Sequence, residues 1–217
     1  MIIKKIKAKK IKNSRGEDTI HVTVRSDNGV GESSVPSGAS KGKHECEDFV
    51  LPIEESVEFL NKNKELKSLE INNFNDLNKL EKIVNKDRYG GNIIIALEYA
   101  ILKCIGPLWK IFNKKTRKIP KPLGNVIGGG MHYQKGGSDF QEFLVYPFGS
   151  KKLEQSIDAN NRIHELTNQK LREVDLNFKN KMTDEGAWVS SLSNVEVLDL
   201  LSEVVKQVSK EFGFQIR

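Results

Sequence analysis

The sequence predicts an α+β domain over residues 1–119, built from a three-stranded antiparallel meander and helices. Residues 120–217 follow it as a ββαα segment, the opening portion of an incomplete α/β barrel. Three observations lead there. Alternating apolar residues near the N-terminus meet a hairpin signal. A long apolar stripe of helical period comes next. Beyond a basic, proline-containing stretch, two short strand signals precede two strong helix signals.

The elements follow in order. Ile2 to Ile11 reads as a strand with lysines on one face. Ile20, Val22 and Val24 alternate with polar residues, the pattern of a half-buried strand. Asp27-Asn28-Gly29 signals a hairpin, and Val30 to Val35 returns as the partner strand. A long loop, Pro36 to Glu47, leaves the sheet. Ile53, Val57 and Leu60 sit at helical spacing, as do Leu77, Leu80 and Val84. The widest stripe, Ile93, Ala96, Leu97, Ala100, Ile101 and Cys104, belongs to a helix opened by Gly90-Gly91-Asn92 and stopped by Gly106-Pro107. Lys114 to Lys121 reads as a linker. Strands are expected at Leu123–Ile127 and Phe143–Tyr146, and helices at Leu153–Glu173 and Val195–Phe212. The last of these has Ser193 as N-cap, Glu196 completing a capping box, and Gly213 as C-cap.

Composition narrows the class. Hydrophobic residues make up 37% and charged residues 29% of the 217, as in a soluble globular protein. No apolar run approaches the roughly 18 residues of a membrane span. The N-terminus lacks the apolar core of a signal peptide. Two cysteines, Cys46 and Cys104, make neither a disulfide framework nor a metal knuckle, so a reducing, cytoplasmic setting is expected. The net charge of +6 comes from lysines scattered among Asp and Glu, with no aromatic residues interleaved in a basic cluster. That distribution disfavours a nucleic-acid platform. It leaves a solvated surface, or a surface facing an acidic partner or anionic substrate.

Three stretches carry candidate chemistry. Pro36-Ser37-Gly38-Ala39-Ser40-Lys41-Gly42 combines small residues, which allow close approach to a ligand, with serine oxygens that suit a hard cation. Composition alone favours a surface loop after a hairpin. Gly128-Gly129-Gly130-Met131-His132 follows a strand and matches no nucleotide-binding glycine pattern. His132 can meet a phosphate or move a proton, or it can simply be solvated. Gln141-Glu142 opens the second strand of the region, and Asp184-Glu185-Gly186 lies in a loop between helical stretches. Two carboxylates at one substrate can divide acid and base roles, while each alone reads as a surface charge.

In this order and at these positions, the segments resemble the enolase family. Asn13-Ser14-Arg15-Gly16 resembles the family's early Asp-Ser-Arg-Gly turn, and Gly90-Gly91-Asn92 with Ala96 resembles its Gly-Ala-Asn-Ala helix start. Gly186 and Leu198-Asp199-Leu200-Leu201 resemble the stretch leading to its third barrel strand. The resemblance implies Mg²⁺-dependent dehydration of 2-phosphoglycerate to phosphoenolpyruvate, a step of glycolysis and gluconeogenesis, with two Mg²⁺ per complete site. It implies that Ser40 binds the second Mg²⁺ through its loop, and that Ala39 and Gln141 contact substrate. His132 would sit at the substrate's phosphate end and Glu142 near its hydroxyl. Glu185 would be the acid that helps expel the 3-hydroxyl.

The family's lysine base and the carboxylates of its first metal lie on later barrel strands. Only 97 residues (217 − 120) remain for the barrel region, against about 250 for a whole barrel. The chain closes at Phe214-Gln215-Ile216-Arg217, where an enolase would enter its next strand. The expectation is therefore the N-terminal subunit of a split enolase, inactive alone and completed by a C-terminal barrel chain in a homo- or hetero-oligomer. The alternative is a non-catalytic, enolase-derived binding or regulatory protein. The sequence departs from the family at Lys41 (usually threonine), Tyr133 (usually small), Thr183 (a glycine) and Ala187-Trp188-Val189-Ser190 (Gly-Phe-Ala-Pro). Trp188 is expected to fill space lined by a partner chain.

Overall fold

The computed structural model describes residues 1–38, 41–112, 115, 118–130 and 137–217. Its contacts divide the chain into two compact units, Met1–Arg117 and Lys118–Arg217.

The first unit opens with β1 (Ile3–Lys12), β2 (Asp18–Ser26) and β3 (Val30–Ser34), an antiparallel sheet in the order β1-β2-β3. Ile20, Val22 and Val24 of β2 are fully buried, as their alternation predicts. The turn at Asp27–Gly29 closes with the Ser26 N–H donating to the Gly29 carbonyl at 2.9 Å. The lysines of β1 do not share one face. The β1–β2 register shifts between Ile3 and Lys5, so Ile3 and Ile6 are both buried while Lys4 and Lys5 are both exposed. Lys10 has the inward parity of Ile6 and Ala8, but it lies near the strand's end and its ammonium reaches Glu54 and Asp18 instead of the core.

Helices cover the sheet. α1 (Ile53–Lys62) lies against β1 and buries Leu60. Its Asn61 side chain accepts the Ala8 N–H at 2.8 Å and donates to the Ala8 carbonyl at 3.0 Å, pairing the outer edge of β1. Leu77, Leu80 and Val84 are all buried, but not on one helix. A 3₁₀ turn, Phe74–Leu77, leads into α2 (Asn78–Ile83) and Val84 follows it. Beyond α3 (Lys86–Tyr89), α4 (Gly91–Ile105) packs on β2 and β3 and buries every residue of the predicted stripe. The helix approaches β3 so closely that a Cβ on Gly31 would fall 2.0 Å from the Ala100 carbonyl oxygen. The last element of the unit among the described residues is α5 (Leu108–Phe112).

The second unit holds β4 (Gly124–Gly128), β5 (Glu142–Val145) and β6 (Trp188–Val189), in the order β5-β4-β6. β4 pairs antiparallel with β5 and parallel with β6. α6 (Leu153–Val174) and α7 (Asn194–Phe212) pack together, and their apolar faces share one core with Val126, Ile127, Phe143 and Val145. Val197, Leu201, Val204 and Val208 of α7 are buried, as their spacing predicts. The capping box is present: Ser193 Oγ accepts the Glu196 N–H, and a Glu196 carboxylate oxygen accepts the Ser193 N–H at 2.8 Å. Gly213 takes the left-handed conformation, φ +71°. Tyr146 and Arg217 exchange both backbone hydrogen bonds, at 2.6 and 2.9 Å, so the closing segment runs antiparallel beside the residues after β5.

Glu98 of α4 is an acid held partly out of water. Burial, reinforced by Glu81, pushes its carboxyl up to about 7. A raised folded-state pKa means the native state binds the proton more tightly. This stabilisation is complete below the unfolded-state value and is lost as pH rises through about 7. Glu98→Gln is expected to match the parent in thermal unfolding near pH 4. Near pH 8 it should be more stable by about 1 kcal/mol, solvent screening of this half-exposed group having reduced the full effect. Equal stability at pH 8 would contradict the assignment.

Candidate functional site

At the C-terminal end of β4 the Gln141–Glu142 segment meets the base of the hairpin that carries Glu185. Gly128, the last residue of β4, pairs with Glu142 on one side and Val189 on the other. Side chains at the strand end would collide with the segments packed against it. A Cβ on Gly128 would lie 2.6 Å from Thr183 Cγ2. One on Gly129 would lie 2.5 Å from the Phe140 carbonyl oxygen and 2.6 Å from that of Ser138. Gly129 N–H donates to the Gln141 carbonyl at 3.0 Å, and Gly130 N–H, with φ +59°, to the Ser138 carbonyl at 2.8 Å. The glycine run thus holds the segment that enters β5. Gln141 and Glu142 are exposed, while Phe143, pointing the other way, is buried.

Asp184-Glu185-Gly186 lies between α6 and α7, as expected, and there it forms the tip of a β-hairpin. Val189 N–H donates to the Lys181 carbonyl at 3.0 Å, Thr183 N–H to the Ala187 carbonyl at 2.8 Å, and Gly186 N–H to the Thr183 carbonyl at 3.0 Å. Gly186 adopts φ +83°, which a glycine takes without strain. The hairpin's returning arm is β6, two residues long, too short to leave a periodic trace in sequence. Because Thr183 and Ala187 lie against Gly128, the hairpin base and the Glu142 backbone meet at the same strand end.

Helix α6 tethers the hairpin. His164 Nε2 lies 2.8 Å from the Gly186 carbonyl oxygen, beside Glu185. Trp188 Nε1 donates to the His164 carbonyl at 2.9 Å, and the two rings stack at 4.6 Å. Phe178 meets the Trp188 ring edge-on. Trp188 therefore packs against residues of its own chain and stays half-buried. Below it, Asp175 is almost fully buried. Burial pushes its carboxyl up, but bonds from Ser190 Oγ, the Ser191 N–H and Oγ, and the Asn177 N–H outweigh that and hold it below the usual range. Nothing in the local sequence marked His164 or Asp175, and Thr183 stood out only as a departure from the family's glycine. Their roles depend on partners brought together by folding.

In the first unit, Ala39 and Ser40 lie outside the described residues, as do His132 and Tyr133 of the second. The arms of the Ser40 loop are described. Arg15 Nη2 donates to the Ser37 carbonyl at 2.7 Å, and Asn92 Nδ2 to Ser37 Oγ at 3.3 Å. On the far arm Lys41 pairs with Asp48 at 3.1 Å. Lys41 thus gives the loop an ion pair that threonine cannot make. Among the described residues, no group of three or more His, Cys, Asp or Glu is placed to hold a metal, and no helix is long and apolar enough to cross a membrane.

Comparison with known proteins places both units. Residues 3–107 match the family model described as the enolase N-terminal domain, and residues 116–216 match the enolase C-terminal TIM barrel domain. The chain belongs to the enolase family. It is 31% identical over its whole length to the enolase of Methanothermobacter thermautotrophicus, of which the alignment covers 55%. It is 33% identical to that of Methanosphaera stadtmanae, again over its whole length and 55% of the relative. With the Thermoplasma acidophilum enolase it shares 33% identity over 96% of this chain and 55% of that one. The chain spans about half the length of the curated relatives it matches. As a partial enolase, it pairs an N-terminal enolase domain with the first part of a TIM barrel, and its open β5-β4-β6 sheet fits an incomplete barrel.

Gly129→Ala is expected to destabilise the chain by about 2 kcal/mol or more, because the new methyl meets backbone oxygens that cannot rotate away. Gly186→Ala, strained in φ but entering open space, should cost only about 1 kcal/mol. Denaturant unfolding of both variants checks the order, and a reversed order would contradict the packing described.

Proposed function

We propose that this chain is the N-terminal part of an enolase whose barrel is completed by a second polypeptide. The assembled protein would dehydrate 2-phosphoglycerate to phosphoenolpyruvate. One observation carries the reading: in an enolase-family chain, the Gln141–Glu142 segment and the Glu185 hairpin meet at the C-terminal end of β4. Barrel enzymes build their active sites at that end of the strands.

In this reading Gln141 and Ala39 bind substrate, and His132 lies by its phosphate. Glu142 is held near the substrate hydroxyl by its pairing with Gly128. Glu185 passes a proton to the departing 3-hydroxyl, which leaves as water. The hairpin turn and the His164 contact fix the backbone from which Glu185 acts. The base that takes the C2 proton belongs to the completing chain. When bound, Mg²⁺ supplies positive charge to the developing enediolate. Following the family resemblance, the carboxylate ligands of the first ion are assigned to the completing chain and only Ser40, of the second ion's loop, to this one. The assembled protein would be an oligomer of the two kinds of chain.

The test is reconstitution. The chain is mixed with the remaining barrel segment of an enolase relative, or with a complementary chain from the same genome, and phosphoenolpyruvate formation is followed with Mg²⁺. Turnover is expected only in the mixture, and Glu185→Gln should lower it roughly 10²–10⁴-fold. A folded mixture without turnover would instead favour a non-catalytic, enolase-derived binding protein. Turnover by the chain alone would contradict the division of residues proposed.

A further inference from the structure

The segment entering β5 is tied to the start of α7 by one side chain. Asn194 Oδ1 accepts hydrogen bonds from both Ser138 Oγ and the Asp139 N–H, the latter at 3.0 Å. Ser138 Oγ in turn accepts the Phe140 N–H at 3.1 Å. The Ser138 carbonyl takes the Gly130 N–H, and the Gln141 carbonyl takes the Gly129 N–H. Four consecutive residues, Ser138 to Gln141, are therefore fixed on two sides, by the glycine run and by Asn194. Ser138 is nearly inaccessible to solvent, so its hydroxyl depends on a protein partner.

Helix α7 itself has no use for this side chain. Ser193 is its N-cap and Glu196 completes the box, so the helix start is satisfied without Asn194. Four buried valines and leucines on the next turns, Val197, Leu201, Val204 and Val208, anchor the helix that presents it. The amide is thus held on a rigid element and spends its oxygen on a loop. That arrangement suits a group whose task is to place the residues that follow.

We propose that Asn194 is a positioning residue for Gln141 and Glu142, acting through Ser138, Asp139 and Phe140. Its effect on turnover rests on the enolase reading, whereas its effect on the loop does not. Amide hydrogen exchange of the full chain tests the second part alone. Asn194→Ala should lower protection of the Asp139 and Phe140 amides about tenfold or more, while amides in the middle of α6 and α7 keep theirs. Asn194→Asp retains the accepting oxygen and should restore protection to within about threefold of the parent.

In the reconstituted enzyme, Asn194→Ala should lower kcat about tenfold or more, and Asn194→Asp should recover most of it. Unchanged protection at Asp139 in the alanine variant would overturn the proposal. So would a loss of protection with kcat unaltered, or a uniform loss across α7, which would mark Asn194 as a general support of the helix. If the parent mixture has no activity while the exchange pattern holds, the enolase reading fails and the tether of the loop stands.

Discussion

Two adjacent residues without a Cβ, Gly128 and Gly129, set the geometry on which the candidate site depends. A side chain at either would meet Thr183 on one side or the Ser138–Phe140 backbone on the other. Backbone can approach backbone there only because nothing projects between them. The consequence reaches past packing. The segment bearing Gln141 and Glu142 and the hairpin bearing Glu185 enter from distant parts of the sequence, and their shared reference point is the strand end they both touch.

The two long helices divide the task of holding these arms. α6 supplies His164, which meets the hairpin beside Glu185, and the residue after the helix, Asp175, gathers the hydroxyls and amides that follow β6. α7 supplies Asn194 to the other arm. Both helices are locked by a common apolar core, so each polar contact is made from a fixed base. Buried polar groups of this kind contribute only when every member is paired, and Asp175 shows the balance: its hydrogen bonds more than offset what burial costs it.

Much of this architecture was legible where the signal is local. The α4 stripe, the Asp27–Gly29 turn and the Ser193–Glu196 box each depend on residues a few positions apart, and each is present. The family resemblance, carried by motifs spread over the chain, matches both halves. What escaped reading was decided by distant partners. Lys10 has the parity of a core residue, yet Glu54 and Asp18 draw its charge outward. The Leu77–Val84 stripe divides into a 3₁₀ turn and a short helix without losing its buried face. The packing of Trp188 on His164 and Phe178 could not be read, because neither is adjacent to it in sequence. β6 is made by pairing with β4 and has no pattern of its own.

The Asn61 side chain that closes the edge of β1 has a consequence in time. It stands 53 positions after Ala8, the residue whose backbone it pairs. On a ribosome the edge strand emerges well before its cover and waits, with unpaired backbone groups, until α1 has been made and has docked. During that interval its lysines are its protection, since repelling charges discourage one nascent strand from zipping onto another. A lysine-rich first strand and a late-arriving asparagine act in succession, the first guarding the growing chain and the second sealing the finished one.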